Sequence, residues 1–212
     1  MFEVIESNEI FGKSYHVTGG PIGAVIGVSD IDKSIKFYRD ILGYDKVLFD
    51  EEDTFADLKD LPAGKNKCRR VLLTHSKPRE GSFSRMLGSS YIELVKVYDK
   101  TPRKIFENRF WGDLGFIHLC FDIKNMNALR TKCAEAGYPF TVDSGTTFEM
   151  GDAAGHFSYI EDPDGALIEF VETFKIPIFK KVGWYLDLRK RAPEKPLPNW
   201  MLKTLSFSRV KD

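Results

Sequence analysis

At 212 residues, with 42% apolar and 13% aromatic side chains, the chain can bury a substantial core. Its 31 basic and 31 acidic residues balance, so electrostatics gives no reason to expect nucleic acid or an anionic membrane as a partner. No run approaches the ~20 apolar residues of a membrane span, and the first twenty residues mix charge with apolar side chains, unlike a signal peptide. Cytoplasmic residence is the resulting expectation.

After an amino-terminal extension (1–20), the stretch Ala24 to Val28 reads as a strand, followed by Ser29, Asp30 and a helical pattern. Ile31, Ile35, Tyr38 and Leu42 recur at helical spacing, Asp30 is placed to cap the first turn, and Gly43 stops the helix. Residues 51–88, rich in Asp, Lys, Gly and Ser, read as an insertion holding one strand, Arg69 to Thr74, with a turn at Pro78 to Gly81. Tyr91-Ile92-Glu93-Leu94 closes this first unit, which spans 21–98.

Residues 99–114 form a linker, and the pattern then starts again over 115–173. His118 to Ile123 reads as a strand, Asn125 as a cap, Met126, Leu129 and Cys133 as a helical stripe, Gly137 as a stop, and Leu167-Ile168-Glu169-Phe170 as the closing strand. A tail over 174–212 carries Trp184, Tyr185 and Trp200 among basic residues and prolines, and is expected to lie over the core or at a subunit contact. Cys68, Cys120 and Cys133 have no metal-motif spacing and read as reduced packing residues.

Each unit thus ends on a strand with a glutamate between apolar neighbours, Glu93 and Glu169. Desolvating such a carboxylate is costly unless it is paired or metal-bound, so its repetition marks a candidate site. His118 opens an alternating strand, and imidazole with two carboxylates is a ligand set suited to Zn, Ni, Fe, Mn or Mg. The simplest alternative for Glu93 is an ion pair with Lys96 or an arginine of the insertion.

The run Val28 to Tyr38 with Leu42-Gly43, together with Glu161-Asp162-Pro163-Asp164-Gly165-Ala166-Leu167-Ile168-Glu169, resembles the vicinal oxygen chelate superfamily over about residues 20–173. That group includes glyoxalase I, methylmalonyl-CoA epimerase, extradiol dioxygenases and bleomycin-resistance proteins. The resemblance implies an α+β fold in which paired βαβββ modules form a cupped mixed sheet around a divalent metal. It implies metal ligands at His118, Glu93 and Glu169, with Glu169 or Glu93 as the catalytic base. The fourth position falls on Gly23, five residues before Val28 as His118 is five before Ile123, so that ligand is absent.

Other residues complete the reading. His156 and Arg70 are candidate substrate contacts, as are Arg69 and Arg85 for an anionic group. His16 is a remote candidate for a replacement ligand, and His75 reads as solvent-exposed. Asp162-Pro163-Asp164-Gly165 reads as a structural turn. The leading expectation is a metal-dependent lyase or isomerase similar to glyoxalase I, acting on a small molecule with vicinal oxygens. The alternatives are a non-enzymatic small-molecule binding or resistance-type protein and an Fe(II) dioxygenase with an atypical ligand set. A homodimer is plausible.

Overall fold

A computed structural model describes residues 20–62, 64–150, 153–179, 183–192 and 195–204. The first module runs β1 (Gly23–Gly27), α1 (Ile31–Asp40), β2 (Lys46–Asp53), β3 (Cys68–Thr74), a short helix α2 (Ser84–Leu87) and β4 (Tyr91–Val97). Its sheet has the order β1-β4-β3-β2, with β1 parallel to β4 and the remaining neighbours antiparallel. Helix α1 begins where expected, because the Asp30 carboxylate accepts the Lys33 N–H at 3.0 Å and so satisfies a first-turn donor. It buries Ile31, Ser34, Phe37 and Tyr38. Gly43 follows it with φ +75°, a conformation open to glycine at little steric cost.

The second module repeats this order with β5 (Leu119–Asp122), α3 (Met126–Glu135), β6 (Val142–Asp143), β7 (Phe148–Met150), β8 (Ala153–Glu161) and β9 (Leu167–Phe179). Strand β5 runs parallel to β9, which is antiparallel to β8. Asn125 caps α3 through its side chain, which accepts the Ala128 N–H at 3.2 Å. One hydrophobic core joins the helix-covered faces of both sheets, with Phe37, Tyr38 and Leu94 from the first module and Met126, Ile160 and Phe170 from the second. The modules are also pinned by hydrogen bonds. Tyr38 Oη donates to Asp162 Oδ2 at 3.0 Å, and Ser29 donates to Asp164 through its N–H at 2.9 Å and its hydroxyl at 2.5 Å.

Two boundaries differ from the sequence reading. Residues 51–88 are not one insertion, since the end of β2 (through residue 53) and all of β3 belong to the module's sheet; the added pieces are the loop before β3 and the strap between β3 and β4. Strand β9 does not stop at residue 173 but continues to Phe179, where β10 (Trp184–Asp187) pairs with it. The tail and strap then build a small core of their own, in which Ile176, Leu188, Leu197 and Leu202 pack against Phe83 and Met86 beside helix α4 (Asn199–Thr204). Among the described residues no helix is long and apolar enough to cross a membrane.

Candidate functional site

Side chains alternate along a strand, so the face away from the helices follows from register alone. Glu169 is the ladder partner of Cys120 on β5 and of Tyr159 on β8, which sets these three side chains on one face, with His118 two residues before Cys120 on the same side. The four form a connected cluster. His118 Nε2 lies 3.1 Å from Glu169 Oε2, Tyr159 Oη donates to Glu169 Oε1 at 2.7 Å, and the Cys120 thiol also hydrogen-bonds Glu169. The His118 ring stands edge-on to the Tyr159 ring at 5.5 Å. An ionised carboxylate only accepts, so Nε2 of His118 carries the proton in this arrangement. Nδ1 is buried and without a partner. Burial and then the bond to Glu169 push the Tyr159 phenol up to about 12, so it stays protonated near neutrality.

The equivalent place in the first module is built differently. Glu93 pairs in register with Val25 on β1 and Leu72 on β3, so Val25 takes the place of Cys120 and Leu72 that of Tyr159. Arg70, two residues from Leu72 on the same face, reaches diagonally and its Nε lies 2.5 Å from Glu93 Oε1. Both side chains are only 14% exposed. The Arg70 guanidinium also donates to Asp57 at 3.0 Å and sits near the Phe55 ring at 4.8 Å and the Phe49 ring at 5.5 Å. The counterpart of His118 is Gly23, two residues before Val25. A Cβ there would meet the Tyr91 carbonyl oxygen at 2.7 Å, so β4 leaves no room for any side chain.

The implied metal can be tested against this arrangement. A ligating imidazole offers a free nitrogen to the ion, but His118 Nε2 is engaged by Glu169 and its Nδ1 is buried. Glu93 is neutralised by a fixed cation, and Gly23 is closed by backbone. Among the described residues no group of three His, Cys, Asp or Glu side chains converges to hold an ion. His118 and Glu169 stand together, Glu93 stands with Arg70, and the set as arranged does not fit a three-ligand metal centre.

The remaining sequence candidates fall as follows. His156 is paired with Glu172 and shares its face with the buried Ser158, on the side opposite Glu169; its Nε2 lies 2.5 Å from Asp143 Oδ1, so it does not face the cup. Arg69 is held by Asp50 at 2.7 Å and Asp32 at 3.0 Å, and Arg85 is exposed on α2. His75 is not solvent-exposed as expected, but half-buried with its ring 4.1 Å from that of Tyr44. Cys68 and Cys133 are core residues, whereas Cys120 belongs to the Glu169 cluster. His16 lies outside the described residues.

Tyr159 and Cys120 were missed from sequence. The hairpin turn carries the signal for Tyr159, because pairing Glu161 with Leu167 across Asp162–Ala166 sets it opposite Glu169, whereas Cys120 is placed by the parallel pairing of β5 with β9. A largely apolar cavity of about 610 Å³ lies along the free edge of β1, walled by linker residues Thr101 to Phe106, Phe116 and the start of β9.

Residues 16–170 match the model of the Glyoxalase/Bleomycin resistance protein/Dioxygenase superfamily. A glyoxalase family protein from Bacillus cereus superposes with TM-score 0.53 at 13% identity, over 76% of this chain and 97% of that one, which shows a shared fold. A trypanothione-dependent glyoxalase I from Leishmania major gives TM-score 0.47 at 21% identity, over 73% of this chain and 87% of that one. A lactoylglutathione lyase from Agrobacterium tumefaciens gives 0.41 at 17%, over 74% and 96%. No curated protein matches in sequence.

Proposed function

The chain belongs to the Glyoxalase/Bleomycin resistance protein/Dioxygenase superfamily, and from that premise we propose that it is a lyase or isomerase that moves a proton on a small molecule with vicinal oxygens, with Glu169 as the proton-transferring carboxylate. The observation that carries this reading is the contact of one carboxylate with both a phenol at 2.7 Å and an imidazole at 3.1 Å on a strand face. Glu169 takes a proton from the carbon beside a substrate carbonyl, and the C–H electron pair moves into an enediolate. As Glu169 gains that proton, the Tyr159 hydroxyl is released from it and donates to the developing oxyanion. His118 holds the carboxylate in position, Glu169 returns the proton to the neighbouring carbon, and the hydroxyl proton of the first carbon passes by way of the Tyr159 hydroxyl to the oxygen of the second.

Members of the superfamily commonly use divalent metals. A metal-loaded form of this chain requires Glu93 to leave Arg70 and His118 to bare the nitrogen it now gives to Glu169. The oxygenase alternative is weakened because His156, the other histidine of the second module, faces the opposite side of the sheet.

Solvent exchange tests the reading. Wild-type protein in D2O, given a panel of α-hydroxy ketones and hemithioacetals of 2-oxoaldehydes, should exchange the carbon-bound proton, followed by NMR. Glu169→Gln should slow that exchange by roughly 10²-fold or more. Exchange unaltered in Glu169→Gln would refute the role of Glu169. The apolar cavity of about 610 Å³ along β1 favours a second reading, a non-enzymatic binder of an apolar molecule. Ligand-induced thermal stabilisation with no turnover would select it.

A further inference from the structure

On the helix-covered side of the sheets, a second cavity of about 480 Å³ lies between the end of α1, the strap around Lys77–Gly81, and the β5–α3 junction. It is separate from the Glu169 cluster, because Phe121 lines it from the face of β5 opposite to Cys120. Five cationic side chains line it, Arg39, Lys77, Arg79, Lys124 and Lys132, against three carboxylates, Asp45, Glu80 and Asp122.

The charges are unevenly satisfied: Arg39 pairs with Asp40, Lys124 with Glu172, and Lys132 donates to the Ile41 carbonyl. Asp45 accepts the Ser76 N–H at 2.8 Å and hydroxyl at 2.5 Å, Asp122 accepts the Phe83 N–H at 2.7 Å, and Glu80 is exposed. Burial pushes the Asp122 carboxyl up to about 6, and it is ionised above that pH. Arg79, by contrast, is half-buried with its guanidinium 5.8 Å from the Phe121 ring centre and Nη1 donating to Ser90 Oγ at 3.1 Å. Among the described residues no carboxylate lies within ion-pairing distance of Arg79. Beside it, His75 Nε2 is buried with no partner, and Lys77 is exposed with none among the described residues.

Arg79 acts on Asp122 only at a distance, so N–H groups of its half-buried guanidinium stay free to meet the oxygens of a ligand. We infer that this cavity is a second binding site, for a small organic anion whose carboxylate or phosphate group pairs with Arg79 and Lys77, close by His75, while its apolar part lies on the part-exposed Leu42, Ile123 and Leu129. Carboxylate and phosphate share the oxyanion chemistry that an arginine fork recognises. The volume suits a ligand of modest size.

Calorimetric titration of the full chain at low ionic strength with inorganic phosphate, phenyl phosphate and benzoate tests the site, with the His75 ring signal followed by NMR. We expect an aromatic anion to bind more tightly than inorganic phosphate and to shift the His75 signal. The preference between phenyl phosphate and benzoate then tells which oxyanion the site takes. Arg79→Ala should weaken binding by roughly tenfold or more, and Lys77→Glu, at an exposed position that the fold tolerates, by several-fold. The inference is overturned if none of the three probes binds at millimolar concentration, or if binding survives Lys77→Glu and a folded Arg79→Ala unchanged. Should Arg79→Ala fail to fold, Lys77→Glu and the His75 signal decide alone.

Discussion

Arg70 and Glu93 form an ion pair across β3 and β4, Nε to Oε1 at 2.5 Å, at the place where the second module carries a proton-sharing carboxylate instead. One repeated glutamate is thus fixed and neutralised while the other is bonded to groups that can exchange protons. Because the pair is only 14% exposed on each side, removing one partner leaves a charge poorly solvated. Arg70→Ala should destabilise the protein by about 1–3 kcal/mol in urea unfolding, and a double-mutant cycle with Glu93→Gln should recover part of that as coupling. Additive effects would mean that the contact carries no energy.

Gly23 invites an engineering test. On sequence grounds alone, Gly23→His restores the missing fourth ligand. Structurally its Cβ would lie 2.7 Å from the Tyr91 carbonyl oxygen, a backbone atom that cannot swing aside. We expect Gly23→His to lower the melting temperature, and Gly23→Ala to do the same, without any gain in metal content. A stable Gly23→His that takes up an equivalent of metal would contradict the closed backbone.

Tyr38 is fully buried and its hydroxyl donates to Asp162 across the module boundary at 3.0 Å. Tyr38→Phe keeps the ring but removes the donor, with an expected loss of about 1–3 kcal/mol. Ser29→Ala, at the exposed end of the same junction, should lose less than about 1 kcal/mol. Equal losses would show that burial does not set the strength of this seam.

Asp122 gives a pH signature. Its carboxyl is raised to about 6 from an ordinary 3.8, chiefly by burial. The folded state therefore holds this proton more tightly than the unfolded one. The resulting penalty is absent well below the ordinary value, grows as pH rises towards about 6, and is complete above it. Asp122→Asn can still accept the Phe83 N–H through its side-chain oxygen, so it should stabilise the protein at pH 7 to 8 by up to about 2 kcal/mol and change little near pH 3. A stability gain of equal size at both pH values would exclude titration of Asp122 as the cause.

Much of the fold is legible in the sequence because local signals repeat. Asp30 and Asn125 cap the two helices, Gly43 and Gly137 follow them, and the Asp162–Ala166 turn fixes the β8–β9 register. That register also decides His156, since its partner is Glu172 and the parity of the strand turns it away from Glu169. The Arg70–Glu93 contact is harder to read. It depends on pairing Leu72 with Glu93 across the long strap after β3, whose length sets no register. The closure of Gly23 and the unpaired Arg79 arise from three-dimensional approach, which no spacing along the chain expresses.

The most direct measurement is elemental analysis of tag-free protein, as isolated and after dialysis against Zn, Ni, Fe, Mn or Mg, beside His118→Ala and Glu169→Ala. With Glu93 held by Arg70 and His118 Nε2 engaged by Glu169, we expect well under one equivalent of any metal, and the same low value in both variants. Near-stoichiometric metal in the wild type that disappears in both variants would contradict that reading and make His118 and Glu169 metal ligands.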